Sequence, residues 1–293
     1  CKACIISFWK GYNLKGTKPL TGWATLIHSS IKTIGSALYL LVLRLISSIW
    51  SLLNSITFKM SPTPYIYAFI CTRGDKISKT TDRLLVYLRK AGVEVHLLVD
   101  KKSIFDAYSE ELKFIQEEKA KKDDIVIMCH DDIEILNDPE EFIFMLKQSL
   151  NETKVGIVGA AGTTHLTKSA VWWDEQVWRQ NGHRGTVFHG KDKWEMNATT
   201  YGVAGDVVVC DGLFLASTVG VLSDIGLEKP KTFNGEWDFY DLTYCMRAYE
   251  EGYINKVAPI LLRHESAGEL VGRDSWHENR KKFISMTRLP VKC

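Results

Sequence analysis

Acidic residues are missing from the whole first quarter of this 293-residue chain, in which Asp75 is the first aspartate or glutamate. The preceding 74 residues carry eight lysines and arginines, whereas the remaining 219 carry 29 basic and 35 acidic residues. The net charge of the whole chain is therefore only +2. Non-specific nucleic-acid binding needs a much stronger positive field, so we expect no nucleic acid among the partners.

The cysteines have no regular spacing, which argues against a disulfide-rich protein and against a zinc-binding module. The seven cysteines favour separate thiols in a reducing compartment over a disulfide framework. Cys1 and Cys4 form a lone CxxC pair, which argues against a four-ligand zinc site. With 45% hydrophobic and 25% charged residues, the chain has the composition of a folded protein that buries a sizeable core.

Residues 20–58 contain no proline, and their apolar residues recur at helical spacing. Lys32, Arg44 and a row of serines follow the opposite side, which predicts a long basic amphipathic helix. Such a helix is typical of proteins that lie on a membrane surface, and it favours the cytosolic face. Two alternatives are a helix packed against the body or a partner, and a single span with a lumenal body whose sequons at Asn151 and Asn197 are glycosylated.

Pro62 and Pro64 follow this segment directly and predict a linker. We therefore expect two parts. Residues 1–60 form the membrane-associating helical segment, and residues 61–293 form a globular domain.

The globular part begins with an alternation of strand-like and helix-like stretches. The predicted elements are strands at Tyr65–Cys71, Val93–Val99 and Asp124–Cys129, and helices at 79–90 and 103–121. This alternation is typical of an α/β fold with a mostly parallel central sheet. Ligands bind such sheets at the carboxyl ends of the strands. Polar residues follow all three strands there, namely Thr72 and Arg73, Asp100, and His130, Asp131 and Asp132.

The remainder of the chain has a less regular pattern. Residues 163–206 show no clear period and are predicted to form a long functional loop. Further strands are predicted at Val207–Cys210 and 256–262, and helices at 239–251 and 275–287. The dinucleotide fingerprint GxGxxG is absent from the sequence, so no nicotinamide cofactor is expected.

Several short motifs stand in an order that resembles one family. His130-Asp131-Asp132-Ile133, after a buried strand, is similar to the metal-binding signature of GT-A glycosyltransferases. The other motifs are the strand and turn over 155–162, Trp172-Trp173, the segments 211–215 and 239–247, and the segment 264–268. Together, over residues 64–290, they resemble the family-2-like glycosyltransferase domain named after streptomycin-biosynthesis proteins. The resemblance implies the GT-A fold, the Rossmann-like fold of nucleotide-diphospho-sugar transferases.

The resemblance also implies a divalent cation, Mn²⁺ or Mg²⁺, held by Asp132 and His264, with His130 as a further candidate ligand. Such a cation neutralises the charge of a departing nucleoside diphosphate. The implied donor is a nucleotide sugar of the UDP, GDP or dTDP type. Its candidate binding residues are Thr72, Arg73, Asp100, Asp131 and Asp211.

Displacement at an anomeric carbon needs a general base for the acceptor hydroxyl. Asp238 and Asp241 lie three residues apart at a predicted helix start, and the resemblance places Asp241 in the position of the base, with Asp238 as its substitute. Trp172, Trp173 and Trp237 offer flat apolar faces on which a sugar stacks, although tryptophan is also common in cores.

The sequence therefore predicts a metal-dependent glycosyltransferase that moves a sugar, with inversion, from a nucleotide-diphosphate sugar to a hydroxyl of a glycan, lipid or protein acceptor. One alternative is a nucleotidyltransferase on a related fold. The other is a catalytically inactive carbohydrate-binding or membrane scaffold protein. Metal-dependent hydrolysis of a nucleotide sugar would separate an enzyme from a scaffold.

Overall fold

The computed structural model describes residues 63–74, 77–191, 195–265 and 273–293. The predicted helix over 20–58 lies outside the described residues, so its membrane association and the boundary near residue 60 stay predictions. None of the helices in the described part of the chain has the length and apolar character that a membrane crossing requires.

The first five elements follow the predicted alternation closely. In chain order they are β1 (Ile66–Thr72), α1 (Lys79–Lys90), β2 (Glu94–Val99), α2 (Ile104–Glu117) and β3 (Ile125–Cys129). Both β2 and β3 pair with β1 in parallel, so the three carboxyl ends lie at one edge of the sheet. All five residues of β3 are buried, which explains why this strand reads as an unbroken apolar run.

Polar side chains fix the starts of the helices. The Ser78 hydroxyl accepts a hydrogen bond from the backbone N–H of Thr81 at the start of α1. Ser103 caps α2 in the same way, through the N–H of Asp106. These caps satisfy backbone donors that a helix leaves unpaired in its first turn.

The remaining elements form the second half of the fold. They are β4 (Ile133–Ile135), α3 (Pro139–Leu150), β5 (Val155–Gly159), β6 (Ala161–Thr163), β7 (His165–Leu166), α4 (Glu175–Arg179), β8 (His183–His189), β9 (Asn197–Gly202), β10 (Gly205–Val207), β11 (Val209–Cys210), β12 (Phe214–Thr218), α5 (Val219–Ile225), α6 (Tyr240–Glu250), β13 (Ile254–Val257), β14 (Leu262–His264), α7 (Asp274–Met286) and β15 (Val291–Lys292).

The central sheet has the strand order β10-β13-β5-β12-β3-β1-β2. The α/β class with a mostly parallel central sheet is confirmed: among the described residues, five of the seven strands of this sheet run in the same direction, and β12 and β10 run the opposite way. Strand β12 lies antiparallel between β3 and β5, and β10 lies antiparallel to β13. The chain enters β12 at the carboxyl edge of β3, where Phe214 pairs with Cys129, so β12 runs back in the opposite direction.

A second sheet, of order β11-β6-β8-β14-β4, carries β9 on β8. It corrects the prediction that residues 163–206 are a long loop, since this segment contains β8 and β9 paired antiparallel. The sequence pattern did not predict strand β8, because its buried positions include His183, which interrupts the alternation of apolar and polar residues.

Two predicted strands are each divided between sheets. The predicted strand at 256–262 is β13 of the central sheet and β14 of the second sheet. Pro259 lies between them, and proline has no N–H with which to continue a ladder. The predicted strand Val207–Cys210 is likewise divided between β10 and β11.

Candidate active site

Two adjoining cavities open where β1 and β3 end. The first has a volume of about 550 Å³ and lies against the start of α6. The second, of about 400 Å³, is lined by residues that end or follow β1 and β3, by the start of α2, and by residues that also line the first cavity. Their shared boundary, called the junction below, consists of Arg73, His130, Trp237, Tyr240 and Arg273.

His130, Asp132 and His264 form a cluster at the junction and in the cavities beside it. Their ligand atoms lie within 4.8 Å of one another. The distance from His264 Nε2 to Asp132 Oδ2 is 3.3 Å, and that from His130 Nδ1 to Asp132 Oδ1 is 3.8 Å. Strand pairing creates the cluster, because β14 lies antiparallel to β4 and sets His264 opposite Ile133, the neighbour of Asp132.

A buried arginine anchors the strand that carries His264. Arg263 is fully buried, and its Nε donates to Glu134 Oε2 at 2.8 Å. Its Nη1 donates to the carbonyl of Gly190 at 2.7 Å. A buried guanidinium needs such partners, so these bonds hold β14 against its neighbours β4 and β8.

Tyr240 determines which nitrogen of His130 carries the proton. Its hydroxyl donates to the carbonyl of Gly212 at 2.8 Å and lies 3.0 Å from His130 Nε2. A phenol has one proton, so the second bond requires an N–H at Nε2. Burial lowers the pKa of His130 and outweighs the nearby Asp132, which favours the neutral ring. The lone pair of the neutral ring is then at Nδ1, on the side of Asp132.

This donor set fits a divalent metal ion. A neutral imidazole with its lone pair directed at the cluster and a carboxylate are ordinary ligands of such ions. Burial lowers the pKa of His264, but the hydrogen bond and charge of Asp132 outweigh it and raise the pKa overall. A bond between Tyr240 and a ligating histidine is the kind of outer contact that orients metal ligands.

We expect Tyr240→Phe to weaken Mn²⁺ binding by about 10-fold, because it removes the bond that orients His130. A titration of free Mn²⁺ by electron paramagnetic resonance measures this affinity. Tyr244→Phe is the matched control, since the Tyr244 hydroxyl on the same helix bonds the carbonyl of Leu227 and lines neither cavity. Equal Mn²⁺ affinity in both variants would contradict the role of Tyr240.

Among the described residues, Asp211 and Asp241 are two of the three aspartates that line the first cavity. Burial raises the pKa of Asp211 to about 6, against the opposing charge of His264. Burial and, after it, the charge of Asp211 raise the pKa of Asp241 to about 7. The backbone N–H groups of Gly212 and Leu242 donate to Asp241 at 3.1 and 2.9 Å and hold its carboxylate in place.

Gly212 makes hydrogen bonds to two residues at the start of α6, Tyr240 and Asp241. Its N–H donates to Asp241, and its carbonyl accepts from Tyr240. A Cβ at this position would overlap the Tyr240 hydroxyl and lie 3.0 Å from Asp241 Cβ. The site therefore requires glycine here.

Asp238 has different surroundings from Asp241. It is 4% exposed, its Oδ2 accepts from the Ser275 hydroxyl at 2.8 Å, and its Oδ1 lies 3.1 Å from Arg273 Nη2. It lines the first cavity, but its carboxylate already contacts two side chains from the N-terminal end of α7.

Of the candidate nucleotide-binding residues that end or follow the first three strands, some line the cavities and one does not. Thr72 donates to Asp131 Oδ2 at 2.6 Å, which joins the ends of β1 and β3 in the second cavity, and Arg73 lines the junction. Asp100 lines neither cavity among the described residues. It accepts from the N–H of Gly74 at 2.6 Å and stabilises the turn after β1.

The three candidate tryptophans all line the first cavity, but they differ in exposure. Trp172 is 4% exposed and packs edge-on against Tyr201, so most of its surface belongs to the core. Trp173 is 41% exposed, and its ring lies 6.3 Å from that of Trp276. Trp237 is partly buried and also lines the second cavity.

Sequence reasoning missed four residues that line the first cavity: His189, Tyr201, Arg273 and Trp276. His189 and Tyr201 lie on β8 and β9, which the sequence did not predict. Arg273 and Trp276 lie at the start of α7, where the predicted helix itself was the available signal. No motif in the sequence marked either residue.

Residues 79–285, more than two thirds of the chain, match the model of a glycosyltransferase like family. The chain belongs to this family, which confirms the resemblance drawn from the ordered motifs. The streptomycin biosynthesis protein StrF of Streptomyces griseus is 28% identical over 130 residues, covering 42% of this chain. The chain spans about two fifths of the length of that relative, 41%.

Solved structures with a similar arrangement share little sequence with this chain. GalNAc-T7, solved with UDP, GalNAc and Mn²⁺, has a TM-score of 0.46 at 11% identity, over 77% of this chain and 48% of its own. A197 from STIV has a TM-score of 0.42 at 14% identity, over 69% of this chain and 86% of its own.

Proposed function

We propose that this chain transfers a sugar from a nucleotide-diphosphate sugar to an acceptor hydroxyl, with inversion at the anomeric carbon. One observation carries the proposal. A single cavity contains Asp241, whose pKa is raised to about 7, together with His130 and His264 of the metal-type cluster. The donor is of the UDP, GDP or dTDP type, and the acceptor is a glycan, lipid or protein. Attachment of residues 20–58 to the cytosolic face of a membrane belongs to the same proposal.

His130, Asp132 and His264 are the residues that would hold a divalent cation. When bound, the cation supplies positive charge that neutralises the departing diphosphate. Two imidazoles beside one carboxylate suit a transition ion such as Mn²⁺ better than Mg²⁺, which prefers oxygen ligands.

Asp241 acts as the general base. A carboxylate with a pKa near 7 accepts a proton from an acceptor hydroxyl more readily than an ordinary aspartate does, because its conjugate acid is weaker. The N–H groups of Gly212 and Leu242 fix its orientation. Direct attack of the activated hydroxyl on the anomeric carbon inverts the configuration at that carbon.

The alternatives are less well supported. The family match over residues 79–285 favours glycosyl transfer over nucleotidyl transfer. An inactive scaffold has no need to hold Asp241 at a raised pKa beside a cluster of metal-type ligands.

A thermal-shift experiment tests the proposal. The protein is heated with UDP, GDP, dTDP or ADP, each with and without Mn²⁺. We expect one of the first three to raise the melting temperature only with Mn²⁺, because a ligand stabilises by RT ln(1 + [L]/Kd). Metal-dependent release of that diphosphate from its nucleotide sugar would then exclude a scaffold. No shift with any nucleotide would contradict the proposal.

A further inference from the structure

The permanent positive charges of the two cavities lie at one place. Among the described residues that line them, the arginines are Arg73 and Arg273, and no lysine is included. Both arginines line both cavities, so they lie at the junction. The carboxylates line only one cavity each, with Asp211, Asp238 and Asp241 in the first cavity and Asp131 and Asp132 in the second.

A buried acid holds Arg273 in this place. Asp238 Oδ1 lies 3.1 Å from Arg273 Nη2, and Asp238 itself is only 4% exposed. Its other oxygen accepts from Ser275, and its backbone carbonyl accepts from Asn279 Nδ2 at 3.3 Å. The contact of Arg273 with Asp238 is an ion pair, and since 46% of the Arg273 side chain is exposed, its guanidinium keeps donors that are accessible from the cavities.

We propose that Arg273, positioned by Asp238, binds the diphosphate of the donor at the junction. The inference rests on the proposed function and extends it to the leaving group. The planar guanidinium suits two phosphate oxygens, and its charge does not depend on pH in the working range. Asp238 is then a positioning residue and not a substitute for the general base.

The transfer of the sugar would leave a negative charge at the junction, where this assignment places Arg273. The acceptor oxygen forms a bond to the anomeric carbon and loses its proton to Asp241. The bond from that carbon to the diphosphate oxygen breaks, and its electron pair leaves with the diphosphate. The additional negative charge then develops on the phosphate oxygens beside Arg273, where a fixed cation stabilises it.

Calorimetric titration with Mn²⁺ present tests the proposal, using the nucleoside diphosphate that the wild type prefers among UDP, GDP and dTDP, and the corresponding monophosphate. Arg273→Gln should weaken diphosphate binding about 10- to 100-fold, the range for a hydrogen bond between charged groups. Monophosphate binding should fall much less. Arg288→Gln is the charge-matched control, since Arg288 is exposed and lines neither cavity.

A second variant separates the loss of Arg273 from the effect of leaving the buried Asp238 without an ion-pair partner. Arg273→Gln leaves Asp238 without its cation, so the double variant Arg273→Gln/Asp238→Asn removes both charges, and its folding is checked by thermal unfolding. We expect this variant to lose the preference for diphosphate over monophosphate as well. A wild-type preference in either variant would overturn the inference while leaving the proposed function intact. Absence of nucleotide binding in the wild type would overturn both.

Discussion

Asp241→Asn should lower turnover at least about 100-fold and leave the affinity for the nucleotide-sugar donor nearly unchanged. Asparagine keeps the size, and its one amide oxygen still accepts from either Gly212 or Leu242, but it does not take up the proton of the acceptor. General-base catalysis contributes about 10²–10⁴-fold to a rate. Steady-state kinetics with the donor identified by thermal shift separate kcat from donor affinity.

Asp238→Asn is the control for this prediction. It should act mainly through diphosphate affinity, because Asp238 holds Arg273 and not the acceptor. If Asp238→Asn is inactive and Asp241→Asn is near wild type, the base is Asp238. If neither variant changes the rate, the base is elsewhere and the inverting mechanism loses its main support.

The pH dependence of the wild-type rate, and of the stability of Asp241→Asn, supplies a further check of the role of Asp241. Asp241 must be ionised to accept a proton, so kcat/KM of the wild type should rise with pH through about 7. Stability should change in the opposite direction. A raised pKa in the folded state means that the stability contribution of Asp241 is full below its ordinary pKa near 4 and is lost as the pH rises through about 7. The melting temperature of Asp241→Asn relative to that of the wild type should therefore be higher at pH 8 than at pH 4.

Asp132→Asn should abolish Mn²⁺-dependent nucleotide binding, with a loss of about 100-fold or more in affinity. The substitution removes the one carboxylate of the cluster, and a neutral amide is a much weaker ligand for a divalent cation. The fold should persist, because Asp132 lies at the cavity wall and is not part of the apolar core.

The matched control for this loss is Asp100→Asn. Asp100 also follows a parallel strand, but it lines neither cavity, and an amide oxygen still accepts from Gly74. Nucleotide affinity with and without Mn²⁺ is measured for both variants. Metal-dependent affinity that survives in Asp132→Asn would remove Asp132 from the cation site.

The first half of the fold could be predicted because β1 and β3 are mostly buried and form apolar runs, and because α1 and α2 carry their own caps. The convergence of Thr72 and Asp131 followed from the shared direction of β1 and β3. The second sheet could not be predicted in this way. Its strand β8 buries His183, and the approach of His264 to Asp132 depends on pairing between residues more than a hundred positions apart.

Residue roles were harder to predict than residue positions. Asp238 and Asp241 look equivalent in the sequence, since both are acids at the start of one helix. The family resemblance favoured Asp241 as the base, and in the structure the two acids also differ in their partners, which are Arg273, just before α7, for Asp238 and backbone N–H groups for Asp241. Arg273 was missed for the same reason, because a single arginine at a helix start carries no signal without the acid that holds it.

The bonds of Gly212 limit how this enzyme family member can diversify. Its carbonyl accepts from the tyrosine that contacts His130, and its N–H donates to Asp241, so the proposed metal site and the proposed general base share one backbone unit. A mutation that shifts this unit alters both at once. Selection for a new metal or a new acceptor would therefore act on the two together, and variation is expected to accumulate instead in the aromatic wall around Trp173 and Trp276, which makes no hydrogen bond to Gly212.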